Sequence, residues 1–170
     1  MNIGYFTTRM AKNAQAITEI VKHVSIEQAL WKPTPEKWSI LEVICHLYDE
    51  ERYDFKKRFE LMVTDPGETW PPIDPGGWMK EHRYAEQDIV EMRTLFCRER
   101  EESIGWLNGM EAPDWDVTHR HPQLGELSAG SILGSWLAHD YLHIRQLSGL
   151  HYGYLEALVA PHSLSYAGPW

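Results

Sequence analysis

The spacing of apolar residues constrains the fold of this chain more than any other feature of its sequence. In four separate stretches, apolar side chains recur at intervals of three and four residues, which is the pattern of a helix with one buried face. The first stretch carries Met10 and Ile17 on such a face. The second begins at Ser39, which opens a capping-box sequence, and we expect this helix to run to about Val63.

The other two helical stretches lie in the second half of the chain. The third carries Met92 and Phe96 on its apolar face. The fourth follows Ser128, a residue type that caps helix N-termini, and we expect it to end near Leu150. The tail over residues 151–170 has no strong pattern, and we expect it to pack over one end of the helices.

Two long irregular segments separate the helical stretches. Residues 64–85 are rich in proline and glycine, and residues 108–127 show no helical spacing. The sequence contains no convincing alternation of the kind that predicts β-strands. Four amphipathic helices with two long connections predict an all-α four-helix bundle, which we expect to form one domain over residues 1–170.

The composition excludes several classes of protein. Hydrophobic residues make up 43% of the chain and charged residues 24%, which is typical of a globular domain. The formal net charge of −9 argues against a nucleic-acid partner, which needs a basic surface. Because neither a signal peptide nor a membrane-length apolar run is found, we expect a cytoplasmic protein with no membrane partner. Cys45 and Cys97 are expected to be reduced, buried thiols.

The fourth helix places two histidines where apolar residues are expected. Its inward stripe, spaced by three and four residues, contains Ile132, Trp136, His139, His143, Gln146 and Leu150. Side chains at positions i and i+4 leave the same helix face one turn apart, so His139 and His143 can bind one metal ion. Burial favours the neutral imidazole, which is the form that binds metals. Hydrogen-bonded core histidines are the alternative, and a third ligand would decide against it.

His46, at the margin of the apolar face of the second helix, is the best candidate for that third ligand. Glu50 lies one turn further along and could either bind the metal or orient His46, with a surface ion pair as its alternative role. Three neutral histidines leave one or two coordination positions open, as in catalytic sites. Such a site lowers the pKa of a bound water or thiol and polarises carbonyl groups.

The order and spacing of these residues resemble a known family. The first motif consists of Trp38, Ser39, Glu42, His46, Leu47, Asp49 and Glu51, and the second of His139, Asp140, His143 and Gln146. The stretch with His121, Pro122 and Gly125 stands where that family enters its last helix. In length, order and loop placement, nearly the whole chain resembles the DinB-like (DinB/YfiT) superfamily.

That resemblance implies an up-down-down-up four-helix bundle with a long crossover loop, frequently assembled as a homodimer. It implies that His46, His139 and His143 hold one divalent ion, commonly nickel, zinc or iron, among which imidazole ligands alone do not choose. Related families include thiol-dependent transferases, so a low-molecular-weight thiol is a candidate cosubstrate beside an unidentified small-molecule substrate. A metal-dependent hydrolase is the other candidate enzyme. The rival from another class is a non-catalytic, stress-associated dimeric binding protein whose metal is structural or vestigial.

Four further side chains are candidates for the surroundings of the metal. Asp140 lies between the two histidines of the second motif and Gln146 follows them, and we expect both to orient the ligands. His119 and His121 precede the metal-binding helix and could overhang the site as an acid, a base or substrate contacts. Exposed loop histidines are the alternative for this second pair.

Other metal and nucleophile chemistries fit the sequence less well. A ferritin-like di-iron site needs two Glu-x-x-His motifs, and the sequence has no such pair. A zincin has His-Glu-x-x-His, whose glutamate is the catalytic base, whereas this chain has Asp140 at that position. A phosphohydrolase of the HD type would leave His143 unexplained. A serine or cysteine triad has no support beyond isolated residues.

Overall fold

The computed structural model describes residues 1–111 and 113–170, and long helices dominate it. In chain order the elements are α1 (Ile3–Ile20), α2 (Ile26–Leu30), α3 (Ile40–Asp49), a π-helix (Glu50–Phe55), α4 (Lys56–Thr64), α5 (Pro75–Glu81), α6 (Ile89–Asn108), β1 (Thr118–His121), β2 (Gly125–Ser128) and α7 (Ala129–Val159). Single 3-10 turns lie at Tyr84–Glu86 and Ser165–Ala167. α3, the π-helix and α4 follow one another without a break and form the second long helix, here called the α3–α4 segment.

Contacts between the four long helices establish their directions. The start of α1 lies against the end of α6, where Thr7 donates a hydrogen bond of 2.9 Å to Asn108, so these two helices are antiparallel. Phe59 in α4 packs on Trp106 near the end of α6, which makes the α3–α4 segment parallel to α6. The N-terminal methionine contacts the start of α7 at Gly130, so α1 and α7 are parallel. The predicted up-down-down-up four-helix bundle is therefore confirmed.

The α3–α4 segment begins with the predicted capping box. The backbone N–H of Ser39 donates to Glu42 Oε2 at 2.8 Å, and the backbone N–H of Glu42 donates to Ser39 Oγ at 3.3 Å. These two bonds satisfy donors that a helix N-terminus otherwise leaves unpaired. The segment ends at Thr64, one residue beyond the predicted end, so the periodicity located both of its ends.

The apolar core consists of two clusters at different heights of the bundle. One contains Ile17, Ile44 and Phe96, all fully buried, and the other contains Phe59 and Leu133. Burial of each such side chain stabilises the fold by about 1.5–3 kcal/mol. The positions between the two clusters, on all four long helices, are taken by buried polar residues: Asn13, Glu51, Arg100 and Asp140. We call these four residues the polar layer.

The connections contain more regular structure than the sequence predicts. β1 and β2 form an antiparallel hairpin whose turn uses Gly125 at φ 76°, a left-handed backbone angle that favours glycine. The expectation of no β-strand is therefore wrong for this short segment. Both strands are largely exposed, so no alternation of buried apolar residues marks them in the sequence. The part of the predicted irregular segment at Ala112 lies outside the described residues.

α5 and the last turns of α7 also differ from the predictions. α5 forms within the first predicted loop, where Asp74 accepts a hydrogen bond of 2.9 Å from the backbone N–H of Gly77. α7 continues to Val159 rather than ending near Leu150, and Tyr154 in this extension packs edge-on against Trp31. Of the helices within the described residues, none has the length and apolarity to span a membrane.

Candidate metal centre

The three predicted ligands converge at one point inside the bundle. His46 comes from α3, and His139 and His143 come from successive turns of α7. The Nε2 atom of His139 lies 3.3 Å from Nε2 of His46 and 3.0 Å from Nε2 of His143. One ligand atom from each of the three side chains lies within 4.8 Å of the other two. The fold thus assembles a three-histidine cluster from residues almost a hundred positions apart.

The spacing of the nitrogen atoms suits a metal ion. Zinc–nitrogen bonds of about 2.0–2.1 Å in a tetrahedral site place two ligand nitrogens roughly 3.3 Å apart. The observed separations of 3.0 and 3.3 Å are close to that value. Three lone pairs directed at one point repel each other unless a proton or a cation lies between them. The residues present therefore fit a divalent ion held by three imidazoles.

Gln146 favours the metal-binding tautomer of His143. The side-chain oxygen of Gln146 lies 2.8 Å from Nδ1 of His143 and accepts a hydrogen bond from it. With the proton on Nδ1, the lone pair of the neutral ring is on Nε2, the atom that faces the cluster. The structure thus places Gln146 where the sequence predicted an orienting side chain.

Burial keeps the three imidazoles neutral. Desolvation, and then the proximity of His143, lowers the pKa of His46 to about 3. Desolvation, followed by His143, His46 and the charge of Arg100, lowers the pKa of His139 to about 2. The pKa of His143 is also lowered by desolvation, against the opposing effects of Gln146 and Asp140. All three side chains are therefore available as ligands at neutral pH.

Glu50 lies on the side of His46 that faces away from the cluster. Its Oε1 atom is 3.7 Å from Nδ1 of His46, whereas the converging atoms are the Nε2 atoms. Of the two roles considered for Glu50, this placement favours orienting His46 over binding the metal. Burial, and then the neighbouring Asp54, raises the pKa of Glu50 to about 8, so its carboxyl group is largely protonated at neutral pH.

The π-helix explains how so many acidic side chains point inward. Glu50, Glu51 and Asp54 lie within its six residues, and all three are buried. An extra residue in a helical turn rotates the following side chains, and such insertions are frequent at functional sites. Glu50 and Asp54 thereby form a hydrogen-bonded carboxyl pair beside His46, while Glu51 reaches the polar layer.

Asp140 does not contact the histidines that flank it. Its carboxylate is fully buried and accepts two hydrogen bonds from Arg100, at 2.7 and 2.8 Å, and one of 3.3 Å from Asn13. Arg100 also lies 2.9 Å from Glu51, whose Oε2 atom accepts a bond from the indole N–H of Trp136 at 2.8 Å. Asp140 therefore acts on the ligands through the position of α7 and through its charge, which opposes the lowering of the His143 pKa.

Arg100 is the main residue that the sequence analysis missed. It is only 2% exposed, and through the polar layer it contacts α1, the α3–α4 segment and α7. Burial alone would lower its pKa, but the carboxylates of Glu51 and Asp140 raise it. Its position was detectable, because Phe96, Arg100, Ser103 and Leu107 follow the spacing of the buried face of α6.

Aromatic rings enclose the cluster. The ring of Trp38 contacts His46 edge-on with centroids 4.7 Å apart, and Phe55 lies 5.1 Å from His139. His46 is 6% and His143 9% exposed, while His139 is half-buried. Solvent therefore reaches the cluster mainly beside His139.

His119 and His121 lie on the hairpin and do not belong to the group of converging ligand atoms. The ring of His119 stacks on Trp70 at 4.2 Å, and its Nδ1 atom is 3.3 Å from the carbonyl oxygen of Pro66. The Nδ1 atom of His121 accepts hydrogen bonds of 3.1 Å from two backbone N–H groups of the turn. Both face a cleft between the hairpin and the segment that follows α4.

The chain offers two cysteines and an aspartate–histidine pair outside the cluster. Both cysteines are free, and burial raises the pKa of Cys45 to about 12, which disfavours the nucleophilic thiolate.

Asp49 is buried and accepts a hydrogen bond of 2.5 Å from the Tyr84 hydroxyl, and it lies 2.7 Å from Nδ1 of His82. The contact between Asp49 and His82 links the segment that follows α5 to α3, the helix that carries His46.

Comparison with known proteins relates the chain to one family. Residues 9–147 match the sequence model of the DinB superfamily. Two relatives, from Oceanobacillus iheyensis and Bacillus cereus, are each named "Putative metal-dependent hydrolase". They are 22% identical over 113 residues and 23% identical over 119 residues. Each match covers 66% of this chain and 64% of the relative, so this chain spans less than two thirds of their length.

A solved structure shares the fold. YfiT from Bacillus subtilis, described as a probable metal-dependent hydrolase with an unusual four-helix bundle topology, superposes with a TM-score of 0.77. The match covers 87% of this chain and 85% of YfiT, at 17% sequence identity. At that level of identity the likeness establishes the bundle and leaves the chemistry to the residues of the site.

Proposed function

Because this chain belongs to the DinB superfamily, we propose that it is a metal-dependent hydrolase whose single divalent ion is held by His46, His139 and His143. The observation that carries the proposal is the convergence of three neutral, buried imidazoles through their Nε2 atoms. The names of the two bacterial relatives support the same class of reaction.

The chemistry follows from the donor set. A divalent ion on three neutral histidines lowers the pKa of a bound water and polarises the carbonyl or phosphoryl group to be cleaved. The protein holds the ligands in place: Gln146 keeps the proton of His143 on Nδ1, and Glu50 lies against Nδ1 of His46. The rings of Trp38 and Phe55 limit access of bulk water.

Glu50 and Asp54 supply the proton-holding groups nearest to the cluster. Burial and the neighbouring Asp54 raise the pKa of Glu50 to about 8, and the Asp54 carboxylate lies 2.7 Å from Nε of Arg58. This pair can keep one proton beside His46 at neutral pH. With one proton shared, the pair carries one negative charge next to the metal ligands instead of two.

Other expectations from the sequence stay proposals. A thiol-dependent transferase with a low-molecular-weight thiol uses the same ligands, and a non-catalytic protein with a structural metal would bind the ion without turnover. Nickel, zinc and iron all accept imidazole ligands. A homodimer in the cytoplasm likewise stays a proposal.

The central test is metal content combined with a hydrolysis screen. We expect purified wild-type protein to retain about one equivalent of a divalent metal, and His143→Ala to retain far less. His162→Ala, which changes an exposed histidine near the C-terminus, is the matched control and should keep the metal. Metal-loaded wild type should hydrolyse members of a panel of activated esters, amides and phosphoesters, and chelation should abolish this activity.

Three results would count against the hydrolase. Equal metal content in wild type and His143→Ala would remove the proposed site. Metal binding with turnover only when a thiol is supplied would identify the transferase. Metal binding without turnover on either panel would favour the non-catalytic protein.

A further inference from the structure

The cleft between the hairpin and residues 67–75 has a basic lining in an acidic protein. Its lining includes Arg58, His119, Arg120 and His121, and among the described residues that line it none is acidic. The whole chain has a formal net charge of −9, so a wall of this kind is not expected from composition. Clefts lined by charge of one sign concentrate the oppositely charged ligand.

Arg120 is the second cationic group among the residues that line the cleft. Arg58 lies 2.7 Å from the carboxylate of Asp54, which compensates its charge. Arg120 is exposed and stands opposite Glu126 in the hairpin register, and among the described residues the two side chains form no ion pair. A guanidinium binds a carboxylate or phosphate through two parallel hydrogen bonds, which makes Arg120 suited to an anionic oxygen group.

Two further hydrogen-bond donors belong to the same wall. Backbone N–H groups donate to Nδ1 of His121, so the neutral ring carries its proton on Nε2 as a second donor. Trp70 is 9% exposed, and its indole N–H has no hydrogen-bond partner among the described residues. The nitrogen itself is buried, so it is an unpaired donor beside the cleft rather than one on its open surface.

The remainder of the lining is mostly apolar. It includes Pro71, Pro72, Ile73, Pro75 and Pro122. The ring of Trp70 stacks on His119 at 4.2 Å, and the Arg58 guanidinium lies 4.9 Å from its ring centre. The wall therefore combines oxygen-binding donors with apolar surface for a small organic body.

We propose that this cleft binds the anionic oxygen group, a carboxylate or a phosphate, of a small molecule with an apolar body. Its position connects it to the metal centre: Arg58 contacts Asp54, Asp54 is hydrogen-bonded to Glu50, and Glu50 lies against His46. The identity of this molecule as the substrate rests on the proposed hydrolase function, whereas its binding to the cleft does not.

The test uses the indole N–H signal of Trp70 in nuclear magnetic resonance spectra of the full chain. The protein has eight tryptophans, and Trp70→Phe identifies the signal that belongs to position 70. Benzoate, phenylphosphonate, inorganic phosphate and the neutral analogue benzamide are titrated separately. We expect benzoate or phenylphosphonate to shift this signal saturably and to bind about tenfold more tightly than benzamide, and the tighter of the two identifies carboxylate or phosphate as the preferred group.

Three substitutions of arginine separate binding at the cleft from general charge effects. Arg120→Gln should weaken binding of the preferred anion about tenfold, because it removes a charge-assisted contact. Arg120→Lys, which keeps the charge, should retain most of the affinity. Arg98→Gln alters the net charge equally at an exposed position on α6 and should leave the affinity unchanged. Circular dichroism of Arg120→Gln checks that the hairpin change leaves the helices intact.

His143→Ala distinguishes this proposal from the proposed function. Anion binding that persists in His143→Ala and depends on Arg120 supports the cleft, even if no metal is found in the wild type. Binding that disappears with His143→Ala would place the anion on the metal and overturn the proposal. Equal binding of benzamide, an unshifted Trp70 signal, or full affinity in Arg120→Gln would overturn it as well.

Discussion

Arg100 donates hydrogen bonds of 2.7 and 2.8 Å to the two carboxylate oxygens of Asp140, in the middle of the bundle. Asp140 lies between two proposed metal ligands on α7, and Arg100 also contacts Glu51, five residues after the third ligand. The relative position of the helices that carry the ligands is therefore set by a buried ionic contact between the two apolar clusters.

Removal of this contact should destabilise the fold strongly. We expect Arg100→Met to lower the free energy of unfolding by about 3–5 kcal/mol, because it leaves the buried carboxylates of Asp140 and Glu51 without their cation. Urea denaturation followed by circular dichroism measures the change. Arg98→Met, at an exposed position of the same helix, should change it by less than about 0.5 kcal/mol. Similar stability of the two variants would show that Arg100 does not hold the polar layer together.

Gln146 should affect metal affinity more than stability. Its oxygen accepts the hydrogen bond from Nδ1 of His143, so Gln146→Ala removes the preference for the metal-binding tautomer. Loss of such a contact lowers metal affinity by about 10–100-fold. Gln146→Glu, which keeps an acceptor oxygen, should restore most of it. Isothermal titration with zinc measures the affinity, and equal values for wild type and Gln146→Ala would refute the role.

The stability of the metal-free protein should fall in mildly acidic solution. The pKa of His46 in the folded protein is lowered to about 3, whereas an unfolded histidine has a pKa of about 6.5. Below pH 6.5 the unfolded chain takes up a proton that the buried ring resists, so stability is lost as the pH falls from about 6.5 towards 3. At pH 5 the loss from His46 amounts to about 2 kcal/mol.

Glu50 has the opposite effect on how the stability of the metal-free protein depends on pH. Its pKa in the folded protein is raised to about 8, so its contribution is lost as the pH rises through that value and grows as the pH falls towards 4.5. Glu50→Gln removes this contribution, and the metal-free variant should therefore lose stability more steeply than wild type between pH 6.5 and 5. Urea midpoints in the presence of a chelator test both effects. A flat pH profile for Glu50→Gln, in which no Glu50 titration offsets the histidines, would contradict the burial of neutral histidines.

The hydroxyl of Tyr84 should contribute to stability through Asp49. The carboxylate of Asp49 is 2% exposed, and it accepts a hydrogen bond from this hydroxyl. Tyr84→Phe removes one partner of a buried charged group and should cost about 1.5–3 kcal/mol in thermal or urea unfolding. Tyr48→Phe removes a hydroxyl at the surface that, within the part of the chain the structure describes, accepts a hydrogen bond from Arg52 alone, and its effect should be several times smaller. Equal costs would argue against a special role for the Asp49 contact.

The sequence determined the helices and the histidine pair of α7 because both depend on local spacing. Helical periodicity and the capping box at Ser39 located the second long helix almost to the residue, and the i, i+4 spacing placed His139 and His143 on one face. Where a segment buries little apolar surface, as in the exposed β-hairpin, no periodic signal exists and the prediction failed.

Only the tertiary structure decided what lies around the histidines. The partners of Asp140, Arg100 and Glu51 are 40 or more positions apart in sequence, and a buried carboxylate cannot be distinguished from a surface one by spacing alone. The sequence suggested that Asp140 orients a ligand, but packing turned its side chain towards Arg100. Whether a side chain is buried, and which residue it contacts, depends on which helices pack together. The histidine pair of α7 could therefore be predicted from the sequence, whereas the residues around it could not.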